Sequence, residues 1–388
     1  MPPPTTTPGM VAEMATPAVG RPTWLEIDLA AIVHNYRVAR EAAGARTAVF
    51  PVVKANAYGL GAPPIARALA AAGADGLCVA LVEEAAELRR AGLELPLVLL
   101  SGFFPGLEQT VIDLDLQPVV FELEAVRRLS RLRGPGASPV PVHVKVDTGM
   151  GRMGFSSAKI PAVLEELAGL PGIRVASVIS HLACADEPTH EANGRQLSVL
   201  LDRPRGPTRY SLANSAGLLA HPATRLDWTR PGIMIYGASP FFPQRTWRED
   251  GLRSVVRWLT RIVSLRAVDT GTPLGYGHEF VTRRPSRIAV VPVGYADGFS
   301  RCLKNRAHVL IHGAPAPVVG RISMDLTLVD VTQIPDAVPG GLVTLLGGDG
   351  AEFIGIEEMA GWMETIPYEV LCRLGSRLPR LYPPPSGL

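Results

Sequence analysis

The stretch Val52-Val53-Lys54-Ala55-Asn56-Ala57-Tyr58-Gly59 holds the residue with most to say about chemistry. An apolar run, Ala48 to Val53, delivers Lys54 to the point where the chain turns polar and glycine-rich. This pattern predicts a lysine at the mouth of a buried strand. An amine held against apolar walls has its charged form destabilised and serves as a nucleophile or base. Tyr58 follows four residues on, and Gly59 and Gly61 open the next helix, which suits an anionic ligand. The plain alternative is a lysine that ends a strand and snorkels to water.

The elements that must position Lys54 are readable on either side of it. From about residue 30 to 255, short apolar runs alternate with amphipathic stretches. Candidate strands are 47–53, 76–81, 97–100, 117–120, 142–146, 175–180, 209–213 and 232–236. Helix-like segments at 62–73, 83–91, 122–132, 157–169 and 189–202 lie between them. The segment Leu81–Arg90 has the acidic start and basic finish that a helix dipole favours. Repeated βα units of this kind predict a TIM-like (β/α)8 barrel. An open doubly wound sheet is the alternative, but no G-x-G-x-x-G follows the first strand. From 256 to 388 the texture changes to period two, in Thr260–Val268, Arg287–Val293, Ala307–Ile311, Leu326–Val331 and Leu342–Leu346. Turns rich in Gly, Pro and Asp separate these runs, which predicts a mainly antiparallel β domain with one helix near Ile356–Met363. Residues 22–29 alternate too and are expected to join that domain. Residues 1–21, rich in Pro and Thr, read as a disordered tail.

Composition narrows the function classes. A chain of 388 residues exceeds one ordinary core and suits two domains. Its 38 basic and 36 acidic residues leave a net charge of +2, which argues against nucleic acid or an anionic membrane as the main partner. No apolar run approaches the ~20 residues of a membrane span, and the start lacks a secretory pattern. Cys78, Cys184, Cys302 and Cys372 are far apart with no C-x-x-C spacing, so reduced thiols in a cytoplasm are expected, and no metal site.

Barrel enzymes place their chemistry at the C-terminal ends of the strands. Lys54 ends the first predicted strand, and Lys145-Val146-Asp147-Thr148-Gly149-Met150-Gly151-Arg152-Met153-Gly154 follows the fifth. Ser180-His181 ends the sixth, Asn214-Ser215-Ala216-Gly217 the seventh, and the eighth unit brings Arg230-Pro231-Gly232-Ile233. Ser215 and the amides of Gly232 and Ile233 suit a phosphate, which barrels bind on the loops after strands seven and eight. Lysine plus phosphate cradle points to pyridoxal 5'-phosphate (PLP), whose ring is an electron sink. On these residues alone an aldolase with a Schiff-base lysine is the rival.

Val52–Gly59 resembles the PLP-attachment motif of bacterial alanine racemases, in the fold-type III group of PLP enzymes. The resemblance spans about residues 22–382. It recurs in Lys145–Gly154, His181–Asp186, Asn214-Ser215-Ala216 and Arg230–Ile233, and in the second domain in Gly275-Tyr276-Gly277, Pro292–Gly298, Gly320–Asp325 and Pro367-Tyr368-Glu369. Leu60 departs from the pattern, where many members carry His, and lies beside the chemistry.

The resemblance implies a two-base racemisation of alanine, supplying D-alanine for peptidoglycan from a cytoplasmic homodimer. Lys54 would hold PLP and act as one base. Tyr276, lent by the other subunit, would be the second, since two bases on opposite faces exchange the α-proton without the substrate turning over. A free phenol ionises near ~10, so Tyr276 needs help, with Arg152 as the implied helper. Arg230 would face the pyridine nitrogen and, keeping its proton, leave that nitrogen unprotonated. His181 is expected to bond to Arg230. Tyr58, Ser215, Gly232, Ile233 and Tyr368 would hold the phosphate, while Met324, by its amide, and Arg152 would meet the substrate carboxylate. Lys145 would carry a carbamate that positions Arg152; a plain lysine neutralised by Asp147 or a bound anion is the alternative. Asp186, Arg301, Arg321 and Ile366 match outer entrance positions, and for each a solvated surface residue is the equal alternative. A broad-specificity or serine racemase of the same family is the runner-up, ahead of a non-catalytic PLP-binding barrel, which would lack the second domain.

Overall fold

The computed structural model describes residues 20–202 and 208–384. The tail expected over 1–21 lies outside them, except for Gly20 and Arg21. The chain enters through strand β1 (Thr23–Ile27) and helix α1 (Leu29–Ala43). Asp28 caps that helix by accepting from the Ala31 amide at 2.9 Å, satisfying one of the donors every helix start leaves open.

Eight short parallel strands then form a closed ring: β2 (Ala48–Val49), β3 (Leu77–Val79), β4 (Leu97–Leu99), β5 (Leu116–Val120), β6 (Val140–Asp147), β7 (Ile173–Ile179), β8 (Arg209–Ser211) and β9 (Trp228–Thr229). Strands β3 to β8 pair in sequence, and β9 pairs with β2. Two seams close the barrel. Val53 N donates to Cys78 O at 2.8 Å and Cys78 N to Pro51 O at 2.9 Å, while Asp227 N donates to Tyr210 O at 3.1 Å and Arg230 N to Ala213 O at 3.0 Å. Strands such as Leu77–Val79 and Leu97–Leu99 are buried on both faces, by the barrel interior and by the helices outside it. That is why they read as unbroken apolar runs. The helices between strands fall at Ala62–Ala71, Val82–Arg90, Leu123–Arg133, Ile160–Gly169 and Ala192–Leu201, close to the predicted segments.

One expected strand is corrected. Residues 232–236 form no strand; Ile233–Tyr236 is a 3-10 turn, and the eighth strand is β9. All four residues of the turn are buried, and a short buried helical turn shows the same apolar run as a buried strand.

The second sheet comprises β10 (Val256–Arg261), β11 (Ser264–Val268), β12 (Ser286–Val291), β13 (His308–Ile311), β14 (Ala314–Val319), β15 (Thr327–Asp330), β16 (Leu342–Asp349), β17 (Glu352–Ile354) and β18 (Arg380–Leu381), together with β1. Its order is β11-β12-β15-β14-β13-β16-β10-β1-β18, with β17 on β16. Every pair is antiparallel except β1 with β18. Strand β1 thus lies between β10 and β18, the last strand among the described residues, and ties the segment before the barrel to the second sheet. Among the described residues no helix is long and apolar enough to cross a membrane.

Candidate active site

Lys54 opens a turn of unusual hand. Ala55, Asn56, Ala57 and Tyr58 all have φ between +52° and +54°. Left-handed backbone costs about 1–2 kcal/mol per L-residue, so the surroundings must hold it. Ala57 N donates to Val53 O at 2.9 Å and Gly59 N to Ala55 O at 2.8 Å. Glu84, from the helix after β3, accepts from Ala55 N at 2.6 Å and from Ala80 N at 2.7 Å, pinning the turn to the neighbouring strand end. Asn56 Oδ1 takes the Ala62 amide at 2.8 Å and starts the next helix. Gly59 cannot be larger, because a Cβ there would sit 2.6 Å from Leu371 O.

This turn aims Tyr58 into a cradle. Its ring packs 4.5 Å from Tyr236 and 6.1 Å from Tyr368. Burial raises the ionisation of Tyr58 far above its ordinary range and pushes Tyr368 up to about 12, so both remain neutral hydroxyl donors. Ser215 Oγ accepts from Gly232 N at 2.9 Å and from Met234 N at 3.4 Å. Asn214 caps the helix beginning at Ser215 by accepting from Gly217 N at 2.9 Å. A Cβ on Gly232 would lie 2.5 Å from the Tyr58 hydroxyl, so only glycine lets this backbone approach the phenol.

Arg230 lies beneath, only 4% exposed. Its guanidinium donates to Ser211 Oγ, to Ser180 O and, at 3.3 Å, to Leu212 O. It also lies 5.3 Å from the Trp228 ring. Burial pulls it down to about 10, which leaves it charged at neutral pH. The expected His181–Arg230 bond is not formed; Nη1 and Nη2 of Arg230 turn instead to Ser211 and to the strand-end carbonyls of Ser180 and Leu212. Instead burial, then Arg230, Lys145, Arg152 and Lys54, hold His181 well below its ordinary range, so its ring is neutral. Lys145 falls to about 7 through burial and the cations Arg230 and Arg152. Asp147 opposes this, as the smallest of the four influences, and makes no ion pair or hydrogen bond with Lys145. The Asp147 carboxylate accepts from Gly149 N and Met150 N at 2.9 Å and Gly151 N at 3.0 Å, shaping the loop that carries Arg152.

These groups surround one cavity of about 580 Å³, lined by Lys54, Tyr58, Lys145, Arg152, His181, Ser215, Arg230, Gly232, Ile233 and Tyr368. Among the described residues no carboxylate lines it, although Lys54, Lys145, Arg152 and Arg230 all do. A cavity so unbalanced in charge calls for an anionic occupant, and the hydroxyl-and-amide cradle has the donors a phosphate needs. Two predicted residues lie elsewhere. Tyr276 is 69% and Met324 51% exposed, on the second sheet's loops, outside this cavity. Tyr276 borders a separate depression with Arg321 and Ser323. Arg321 pairs with Glu279, which Lys304 also holds at 2.7 Å. Asp186, Arg301 and Ile366 are exposed. Sequence reasoning missed Glu84 and Ser211, which grip the backbone of the turn and Arg230, and Cys372, which lines the cavity. None belongs to a chemical pattern; only their proximity in the fold reveals them.

A parallel barrel with a lysine at its first strand end, over an anion cradle, and with an appended antiparallel sheet defines a class of enzymes that hold an anionic cofactor by a lysine. Within that class, the chain belongs to the alanine racemase family. The sequence profile described as "Alanine racemase, N-terminal domain" matches residues 27–240, and "Alanine racemase, C-terminal domain" matches 255–382. The alanine racemase of Syntrophobacter fumaroxidans is 43% identical over 359 residues, 91% of this chain and 95% of that one. That of Sorangium cellulosum is 42% identical, covering 94% and 100%. Among solved structures, alanine racemase from E. faecalis superposes with a TM-score of 0.87 at 34% identity, over 94% of this chain and 98% of that chain. Alanine racemase from Bartonella henselae, with covalently bound pyridoxal phosphate, gives 0.83 at 33%, over 93% and 99%.

Proposed function

We propose that this chain interconverts L- and D-alanine with PLP held on Lys54, as one subunit of a cytoplasmic homodimer feeding peptidoglycan synthesis. The observation that carries the reading is the cavity lined by two arginines and two lysines around a hydroxyl-and-amide cradle, with no carboxylate among the described residues. PLP, when bound, supplies an electron sink that acidifies the substrate's α-hydrogen. Tyr58, Ser215, Tyr368 and the amides of Gly232 and Ile233 would hold its phosphate. Arg230, charged and fixed by strand-end acceptors, would donate a hydrogen bond to the ring nitrogen without giving up its proton. Arg152 would bind the ring's phenolic oxygen. His181, neutral, adds no further charge to the site.

The Lys54 amine would exchange the α-proton on one face and Tyr276 of the partner subunit on the other. The exposure of Tyr276 and Met324, away from their own chain's cavity, supports a composite site. The Met324 amide of the partner subunit would meet the substrate carboxylate. Lys145, with much of its amine neutral near pH 7, is primed to attack CO2, forming an N–C bond and releasing a proton. The resulting carbamate would offset the charges of Arg152 and Arg230. The same reading assigns 30–255 to the cofactor-binding barrel and 256–388 to the domain that completes the neighbour's site.

The test is to incubate the purified protein with L-alanine or L-serine in heavy water. Racemisation with α-deuterium for alanine, lost in Tyr276→Phe for the L-to-D direction, supports the scheme. Preference for serine would move it to the broader racemases. Failure of borohydride to fix PLP mass on the Lys54 peptide would overturn every PLP reading.

A further inference from the structure

Asp297 lies in the Gly294-Tyr295-Ala296-Asp297-Gly298 motif, which the proposed chemistry leaves without a role. Its side chain is fully buried, yet it is a carboxylate. Arg21 donates to it at 2.7 Å through Nη1, Arg377 at 3.1 Å through Nε, and Gly294 N at 3.1 Å. Arg21 stands 276 positions away, so three remote segments converge on one buried charge. Removing a carboxylate from water is tolerable only with such compensation.

The turn that Asp297 caps grips the Met324 loop by its backbone. Tyr295 N donates to Ser323 O and Ala296 N to Met324 O, each at 3.1 Å. Gly294 packs so closely that an added Cβ would overlap Ser323 O and Met324 O. From the other side Arg377 reaches Asp325 Oδ1 at 2.9 Å, so one guanidinium bridges Asp297 to the residue after Met324. Ser323 N closes the loop on Leu326 O at 3.0 Å. The carbonyls of Ser323 and Met324 are therefore both engaged, while the Met324 N–H has no acceptor among the described residues.

We propose that Asp297 is a positioning residue for substrate binding. Through Arg21, Arg377 and the Gly294–Asp297 turn it holds the Met324 amide ready for a carboxylate in the neighbouring subunit's cavity. This rests on the reading of Met324 given under the proposed function. Asp297 itself touches neither substrate nor cofactor; it acts by fixing an otherwise exposed loop to a buried ion cluster.

The experiment compares Asp297→Asn and Arg377→Leu with the native holoenzyme. The second variant alters a half-exposed side chain, so it remains folded if the first does not. The readouts are kcat, KM for alanine, inhibition by acetate as a bare carboxylate, PLP affinity, and amide exchange over 323–326. A hydrogen bond to a charged group predicts that KM and the acetate inhibition constant rise together, about tenfold in Asp297→Asn and about threefold in Arg377→Leu. We expect kcat and PLP affinity to stay within about twofold, with faster exchange at 323–326. Arg377→Lys should restore part of the loss. Unchanged KM and acetate inhibition in the folded variants overturn the proposal, as does an equal fall in kcat and PLP affinity. Met324→Pro, which deletes the amide donor, separates the two layers. If it leaves acetate binding intact, the Met324 reading itself fails; if it weakens acetate and the Asp297 and Arg377 variants do not, only the positioning role fails.

Discussion

Replacing Gly232 by alanine probes the cradle at its tightest point. The new methyl would stand 2.5 Å from the Tyr58 hydroxyl and 3.4 Å from its ring carbon. Tyr58 has little room to retreat, being packed between Tyr236 at 4.5 Å and Tyr368 at 6.1 Å on a turn pinned by Glu84. Overpacking of this kind costs about 1–3 kcal/mol. The cost appears in one of two places. If Tyr58 holds its position, the apo protein loses that stability. If Tyr58 is displaced, the phenol leaves the proposed phosphate site and PLP affinity falls, by roughly 5- to 150-fold for the same energy. Denaturant unfolding of the apo protein and PLP titration by absorbance read the two terms, and their sum is the prediction. A variant with native stability and native PLP affinity would refute the cradle as described.

Ala55→Gly should stabilise the protein, against the usual sign. Ala55 is exposed with φ of +52°, so glycine relieves about 1–2 kcal/mol of left-handed strain and gives back about 0.4–1 through the unfolded chain. The expected net gain is about 0.5–1 kcal/mol by chemical denaturation, and a loss of stability contradicts the strain. Glu84→Gln keeps one acceptor, for Ala55 N, but sets an NH2 group against the Ala80 and Leu81 amides that now donate to the other oxygen, so we expect about 1–3 kcal/mol of destabilisation and weaker PLP retention. Lys145 has a depressed folded ionisation, near 7 against ~10.4 unfolded. The unfolded state then binds more protons across that window, and its contribution to stability rises with pH from about 7 to ~10.4 and is lost as pH falls through about 7. In CO2-free apo protein, Lys145→Met should flatten this rise, which approaches 1.4 kcal/mol per pH unit at most; an unaltered pH profile would show that Lys145 stays protonated.

Much of the barrel was legible because parallel strands covered on both faces spell continuous apolar runs. The second sheet announced itself by period two. Lys54 stood out because an apolar run ended in an amine. The eighth strand did not, since β9 is two residues long and the buried Ile233–Tyr236 turn supplied a stronger apolar signal nearby. The left-handed turn after Lys54 was invisible because Ala-Asn-Ala-Tyr contains none of the glycines that usually mark positive φ. The binding of Arg230 to Ser211 and strand-end carbonyls, in place of His181, depends on side chains brought together by the closure of the ring. Asp297 with Arg21 and Arg377 is the same lesson at longer range: a buried ion cluster leaves no local pattern in any of its three segments.

The central claim is that Lys54 and Tyr276 act in one site while belonging to different subunits. Mixing inactive Lys54→Ala and Tyr276→Phe proteins under conditions of subunit exchange tests it directly. Half the dimers are then hybrids, each with one site carrying both changes and one carrying neither, so activity should recover to roughly a quarter of native. If the two residues served the same chain, no hybrid would contain an intact site, and the mixture would stay as inactive as its parents.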